Sequence, residues 1–140
     1  MKGTELMIGD IVRVGEIGFH KGSIARVRAI CLDSNYISLF DTCVFEECED
    51  DVEPVLITDD FLEKNGFRPH QVDIDKEGSL IGKWWHKDGL VFVKKYYLSF
   101  NDCYCYTIGG IHHVRISNLI YVHQLQQACR LLSIEINWKL

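Results

Sequence analysis

Two loop dipeptides constrain this chain more than any other feature. Asp88-Gly89 separates Trp84-Trp85-His86-Lys87 from Leu90-Val91-Phe92-Val93. Gly109-Gly110 separates Cys103-Tyr104-Cys105-Tyr106-Thr107-Ile108 from Ile111-His112-His113-Val114-Arg115-Ile116. Both pairs accept the positive φ angles of a type I′ turn, whose twist matches that of the strands it joins. Each predicts an antiparallel hairpin. With Gly109 and Gly110 as the loop, Thr107 faces His112 and Cys105 faces Val114.

The front of the chain reads as short strands too. Ile8-Gly9-Asp10 is a turn entering a strand, and a loop follows around Phe19-His20-Lys21-Gly22. In Ile24–Ile30, Ala25, Val27 and Ala29 point one way and Ile24, Arg26, Arg28 and Ile30 the other. Asp33-Ser34-Asn35 turns the chain into Tyr36–Phe40. This order of Gly-Asp, strand, glycine loop, strand, turn and strand resembles an SH3-like barrel over residues 1–45. Six of the eight positions from Glu46 to Glu53 are acidic, which predicts a solvated connector over 46–56; the alternating ligands and turn glycine of a calcium loop are missing.

Two helices are expected. Over about 58–65, Thr58 can cap, Asp59 and Asp60 suit the positive end of the dipole, and Ile57 and Leu62 form a staple. Gly66 supplies the left-handed closing residue, with Phe67 folding back on Leu62. Over about 121–132, Val122, Leu125, Cys129 and Leu132 form an apolar stripe widened by Ala128 and Leu131. Ile134, Ile136 and Trp138 alternate as a closing strand. The expected fold is therefore α+β, mostly antiparallel hairpins in one domain of residues 1–140, with 57–140 holding the helices and the later hairpins.

At 140 residues and 47% hydrophobic composition the chain can bury one ordinary core. Its formal charge of −5 disfavours unspecific binding to nucleic acid or anionic membranes. Residues 1–70 carry seven Lys/Arg against 14 Asp/Glu, a balance of −7; residues 71–140 carry eight against six, a balance of +2. No stretch approaches the ~20 apolar residues of a membrane span. The start, Met1-Lys2-Gly3-Thr4-Glu5, lacks the apolar core of a signal peptide. A cytoplasmic location follows as the expectation, with the six cysteines as free thiols.

Three clusters could carry chemistry. Lys83, Trp84, Trp85, His86, Lys87, Lys94, Lys95, Tyr96 and Tyr97 make a basic-aromatic hairpin of the kind on which single-stranded nucleic acid stacks. Consecutive aromatic residues, however, point to opposite faces of a strand, so half of them belong to a core. Cys103, Cys105 and His112 share one face of the second hairpin, close enough for a thiol–imidazole pair or for metal ligands. The Cys-x4-Cys and Cys-x-Cys spacings are not those of a zinc knuckle, and core packing explains the cysteines as well. His123 and Gln124 open the second helix. There a cation is disfavoured, so His123 is expected neutral and hydrogen-bonded. With no Walker loop, dinucleotide fingerprint, His-Glu-x-x-His or nucleophile elbow, neither a cofactor nor a catalytic residue is nominated.

Two segments carry a resemblance. Glu53-Pro54-Val55-Leu56-Ile57-Thr58-Asp59-Asp60-Phe61-Leu62-Glu63-Lys64-Asn65-Gly66-Phe67 resembles a proline, Leu-Thr, two acids, aromatic-Leu, Lys, Gly-Phe motif, and Ile120-Tyr121-Val122-His123-Gln124-Leu125-Gln126 resembles a Tyr-Val-His-Gln-Leu-Gln motif. With the Ile-Gly-Asp opening, both are similar to a group of short uncharacterised proteins of gut bacteria and their prophages or mobile elements. The resemblance implies a cytosolic protein of bacterial or phage origin and transfers no site residues. The leading expectation is a non-enzymatic module that contacts another protein, or itself, through a sheet edge or the aromatic hairpin. A nucleic-acid adaptor using residues 83–97 is the second, and a metal or thiol enzyme around Cys105 and His112 the third.

Overall fold

A computed structural model describes residues 1–96, 101–106 and 113–140. The described residues are α+β, with two antiparallel five-stranded sheets and two short α-helices. The chain divides into two compact units, residues 1–56 with 121–127 and Leu140, and residues 57–120 with 128–139. Among the described residues no helix is long and apolar enough to cross a membrane.

In the first unit, β1 (Ile11–Val14), β2 (Ile24–Cys31), β3 (Tyr36–Phe40), β4 (Val44–Cys48) and β5 (Val52–Pro54) order as β4-β3-β2-β1-β5. Alternation buries Val12, Val14, Ala25, Val27, Ile37, Leu39 and Phe45 on one side. A register shift between Val27 and Ala29 breaks that alternation, which leaves Ala29 exposed where the sequence pattern grouped it with Ala25 and Val27. The sheet is open, with β4 and β5 as its outer strands. The acidic run is not a solvated connector. Glu46 and Glu47 lie within β4, Glu49–Asp51 form a 3-10 turn, and β5 begins at Val52.

The second unit opens with α1 (Asp59–Lys64), followed by β6 (Arg68–Ile74), β7 (Leu80–Lys87), β8 (Leu90–Lys95), β9 (Asn101–Tyr106) and β10 (His113–Leu119). The strands form a meander, β10-β9-β8-β7-β6. Asp88 and Gly89 take φ of 47° and 81° and place Lys87 opposite Leu90, the turn their identities call for. In β9 and β10, Cys105 pairs with Val114, the register expected of the second hairpin, whose Gly109-Gly110 loop and Thr107–His112 pair lie outside the described residues. Helix α1 is capped at both ends. Thr58 Oγ1 accepts from the Phe61 amide at 3.1 Å, worth about 1 kcal/mol. Phe67 N donates to Leu62 O and Gly66 N to Glu63 O, so the expected Schellman close is complete.

Helix α2 (Val122–Leu131) gives its first turns to the first unit and its last to the second. Val122, Leu125, Ala128 and Cys129 are buried, but Leu131 is 81% exposed and falls outside the stripe. Residues 134–140 form no strand, contrary to the alternation of Ile134, Ile136 and Trp138. Ser133 turns left-handed at φ 56° and Ile134 N closes on Cys129 O. Trp138 then stacks on Phe61 and Phe67, with centroids 5.8 and 6.3 Å apart. Asn65 ties this tail through both side-chain atoms, donating to Lys139 O and accepting from Lys139 N. The apolar period there marks an anchored tail.

Candidate functional site

The polar residues at the start of α2 are His123, Gln124, Gln126 and Gln127, and most of them do structural work. Gln124 stands three positions after Tyr121, and its Oε1 accepts from the Tyr121 amide at 3.0 Å. This is the reciprocal half of a capping box, so Gln124 caps the helix and His123 does not. Gln126 is 1% exposed. Its Oε1 accepts from Ile11 N at 2.7 Å and its Nε2 donates to Gly9 O at 3.1 Å. A side-chain amide thus pairs with the β1 backbone as another strand would. Gln127 Nε2 donates to Asp10 Oδ2 at 2.7 Å and to Glu5 O at 3.1 Å. The buried Asp10 also accepts from Met7 N at 2.8 Å. The Ile-Gly-Asp opening and the His-Gln-Leu-Gln segment, far apart in sequence, are therefore two sides of one hydrogen-bonded joint.

His123 is left over from this joint. It is 6% exposed, and its Nδ1 has no hydrogen-bond partner. Its ring stacks on Tyr121 at 5.9 Å and 12°. Burial lowers its pKa from the usual value, against the opposing pull of the Asp10 and Glu5 carboxylates. His123 lines a cavity of about 340 Å³ together with Met1, Glu5, Pro54, Tyr121, Gln124 and Gln127.

The basic-aromatic hairpin is held differently. Trp85 is fully buried, and its Nε1 finds no partner. The Trp84 indole donates to Asp73 Oδ2 at 2.8 Å and holds that carboxyl below its ordinary pKa. The register places Lys83 directly opposite Lys94, a like-charge pair that needs an anion between its members. Asp59, the first residue of α1, supplies it, with Oδ1 2.8 Å from Lys94 and Oδ2 3.2 Å from Lys83. Burial opposes ionisation of Asp59, but the two ammonium groups outweigh it and keep the carboxyl below its usual pKa. Lys83 also lies 4.4 Å from the Trp85 ring, and Lys87 donates to Asn65 O at 2.7 Å. Three of the lysines read as a binding face are thus directed at this unit's own acceptors. Lys95 ends β8, and Tyr97 lies outside the described residues.

Cys103 and Cys105 lie in β9, their positions paired with Ile116 and Val114 of β10; His112 lies outside the described residues. Cys31 and Cys43 are free and exposed, Cys48 is free and half-buried, and Cys129 is buried. Among the described residues no three His, Cys, Asp or Glu side chains gather as metal ligands.

One feature escaped the sequence reading, namely the loop between β1 and β2. Ile17 is 88% and Phe19 98% exposed. The backbone beneath them is pinned. Glu47, 2% exposed, accepts from His20 N and His20 Nδ1 at 2.9 Å and from Phe19 N at 3.3 Å. Gly18 is required there because a Cβ would collide with Val14. The His20 ring rests on Phe45 at 4.2 Å. The available signal was an Ile-Gly-Phe triplet inside a loop, together with the alternation of β4, which puts Glu47 on the face of Phe45.

Compared with protein-family models, curated proteins and solved structures, the chain finds no match.

Proposed function

We propose that this chain is a non-enzymatic binding or accessory module of a bacterial or prophage system, acting in the cytoplasm by contact with another protein through its β1–β2 loop. The observation that carries this reading is the pair Ile17 and Phe19, almost fully exposed on a loop whose amides are held by the buried Glu47. Exposed large apolar side chains give folding nothing, since their transfer free energy is gained only when a partner covers them. A loop held in one shape loses little entropy on docking, which favours affinity. The partner is a protein presenting an apolar pocket to the Ile17-Gly18-Phe19 tip.

The finer reading of the first unit is an SH3-like barrel. It draws support from β1 paired on one side with β2 and on the other with β5, and from the 3-10 turn leading from β4 into β5. The Ile-Gly-Asp and His-Gln-Leu-Gln resemblance supports the bacterial and prophage setting. The nucleic-acid reading of residues 83–97 is weakened by the charges of Lys83 and Lys94, which are directed at Asp59.

A photo-crosslinking residue at position 19 of the full chain, illuminated in bacterial lysate, tests the proposal. One discrete adduct is expected. Unlabelled wild-type chain should abolish it, whereas an unlabelled variant carrying Ile17→Ser and Phe19→Ser should not. No adduct, or equal competition by the variant, overturns it. Salt-sensitive retention on single-stranded oligonucleotides, lost when Lys94 and Lys95 are replaced by Glu, would put the nucleic-acid reading in its place.

A further inference from the structure

We infer that an apolar groove on the outer face of the first sheet takes an acidic segment of a partner protein, an apolar side chain with a carboxylate beside it. The groove lies within the first unit, and its occupancy does not depend on the β1–β2 loop. It measures about 490 Å³ and is walled by Ile8, Phe40 and Val44, with Arg26 and Arg28 also lining it. That is room for one large side chain and its neighbour.

Strand register builds the groove. Arg26 pairs with Phe40 and Phe40 with Val44, so the three form a row across β2, β3 and β4. Alternation sends Ala25 and Val27 to the core and leaves this row on the other face. Arg28 is the extra residue of the β2 bulge, between Val27 opposite Leu39 and Ala29 opposite Ser38. Ile8, Phe40 and Val44 are exposed, so a ligand reaches them directly. Met7, next to Ile8, and Ile24, two positions before Arg26 on the same side of β2, are exposed as well. Apolar surface that runs on past the groove fits a protein partner better than a small molecule.

Charge selects the chemistry of the occupant. Residues 1–56 hold five Lys/Arg and 11 Asp/Glu. The groove is lined by two of these five cations and by none of the acids. Arg28 is exposed and joins no ion pair with a described residue, whereas Arg13 of the same sheet is paired with Glu53. A guanidinium beside an apolar wall offers a carboxylate two parallel N–H donors, while the wall covers the adjoining side chain. The unit's balance of −6 disfavours a polyanion such as single-stranded nucleic acid, which needs many cations. One or two carboxylates in contact with the guanidinium groups escape that repulsion, because exposed charges beyond about 10 Å are screened at physiological salt.

The test is an NMR titration of the isotope-labelled full chain with the peptide acetyl-Gly-Asp-Phe-Leu-Asp-Gly-amide and with its counterpart carrying Asn for both Asp. Saturable shifts at the Gly9 and Val44 amides and at Arg28 Nε–H are expected, with Kd near or below roughly 1 mM for the acidic peptide. The Asn counterpart should bind about tenfold more weakly. Arg28→Gln should weaken the acidic peptide by about threefold and leave the Asn peptide unchanged. Phe40→Ala should weaken both. Equal binding of the two peptides, an unchanged Kd in Arg28→Gln, or shifts that never saturate would each overturn the assignment. So would displacement of the peptide by oligothymidylate, or a dimer in light scattering that the peptide dissociates, which would give the groove to nucleic acid or to a second copy. The variant with Ile17→Ser and Phe19→Ser should bind the peptide as wild type does, so this proposal and that of the β1–β2 loop fail separately; lost binding there places the peptide on the loop and overturns the groove. Because Arg28→Gln alters an exposed side chain, its result stands even if Phe40→Ala fails to fold.

Discussion

Replacing Gln126 by leucine isolates the joint between α2 and β1 better than any other single change. The leucine keeps a similar volume and removes both polar atoms. Ile11 N–H and Gly9 C=O, bonded at 2.7 and 3.1 Å in the native chain, then lose their partners where Ile11 is 1% exposed. An orphaned buried group costs about 1–3 kcal/mol. Two of them, offset in part by the apolar gain of leucine, come to about 2–4 kcal/mol. The three tryptophans, Trp84, Trp85 and Trp138, all lie in the second unit, so fluorescence would follow the wrong region. Two units also need not unfold in one step. Native-state hydrogen exchange at the Ile11 and Val27 amides is the direct assay, and protection should fall roughly 30- to 1,000-fold. Gln127→Leu, at a half-exposed position, should cost under about 1 kcal/mol. If Ile11 protection in Gln126→Leu stays within about threefold of wild type, the side-chain amide is not what holds β1, and the reasoning fails.

Thr58→Ala should destabilise the second unit by about 1 kcal/mol, seen as a lower denaturant midpoint by tryptophan fluorescence with an unchanged slope. Asp59 has a folded pKa below its ordinary 3.8, so its ionisation stabilises the fold above that value. The contribution is lost as the pH falls through 3.8 toward the folded pKa. Asp59→Asn should flatten that part of the stability–pH curve in acid denaturation, and an unaltered curve would refute the Lys83–Asp59–Lys94 linkage.

What was legible in the sequence is local. Thr58, Gly66 and Phe67 act within one helix, and Asp88-Gly89 within one turn, so identity and spacing suffice. The Lys83–Lys94 pairing was also within reach, because that turn alone dictates it, and two opposed lysines call for a carboxylate. Which carboxylate answers depends on where α1 packs, and no local pattern states that. The roles of Gln126 and Gln127 depend on a strand more than a hundred positions away. For Glu47, acidic composition suggested solvent while the period-2 pattern pointed inward, and the pattern prevailed because three donors await its oxygens. The tail failed in the opposite sense. Ile134, Ile136 and Trp138 alternate, but no strand is offered to pair with them, and Trp138 is held by two aromatic rings instead.

The buried Glu47 has a consequence for how such a module could diversify. The shape of the β1–β2 loop is written in a different strand, 27 to 28 positions downstream, and through backbone amides, which every residue except proline possesses. Gly18 is held to its identity by Val14, but side chains at 17 and 19 take no part in the anchoring. The scaffold and its readout are thus encoded in separate places. Positions 17 and 19 can be randomised as a two-residue library on a constant frame, with Glu47 left untouched as the keystone.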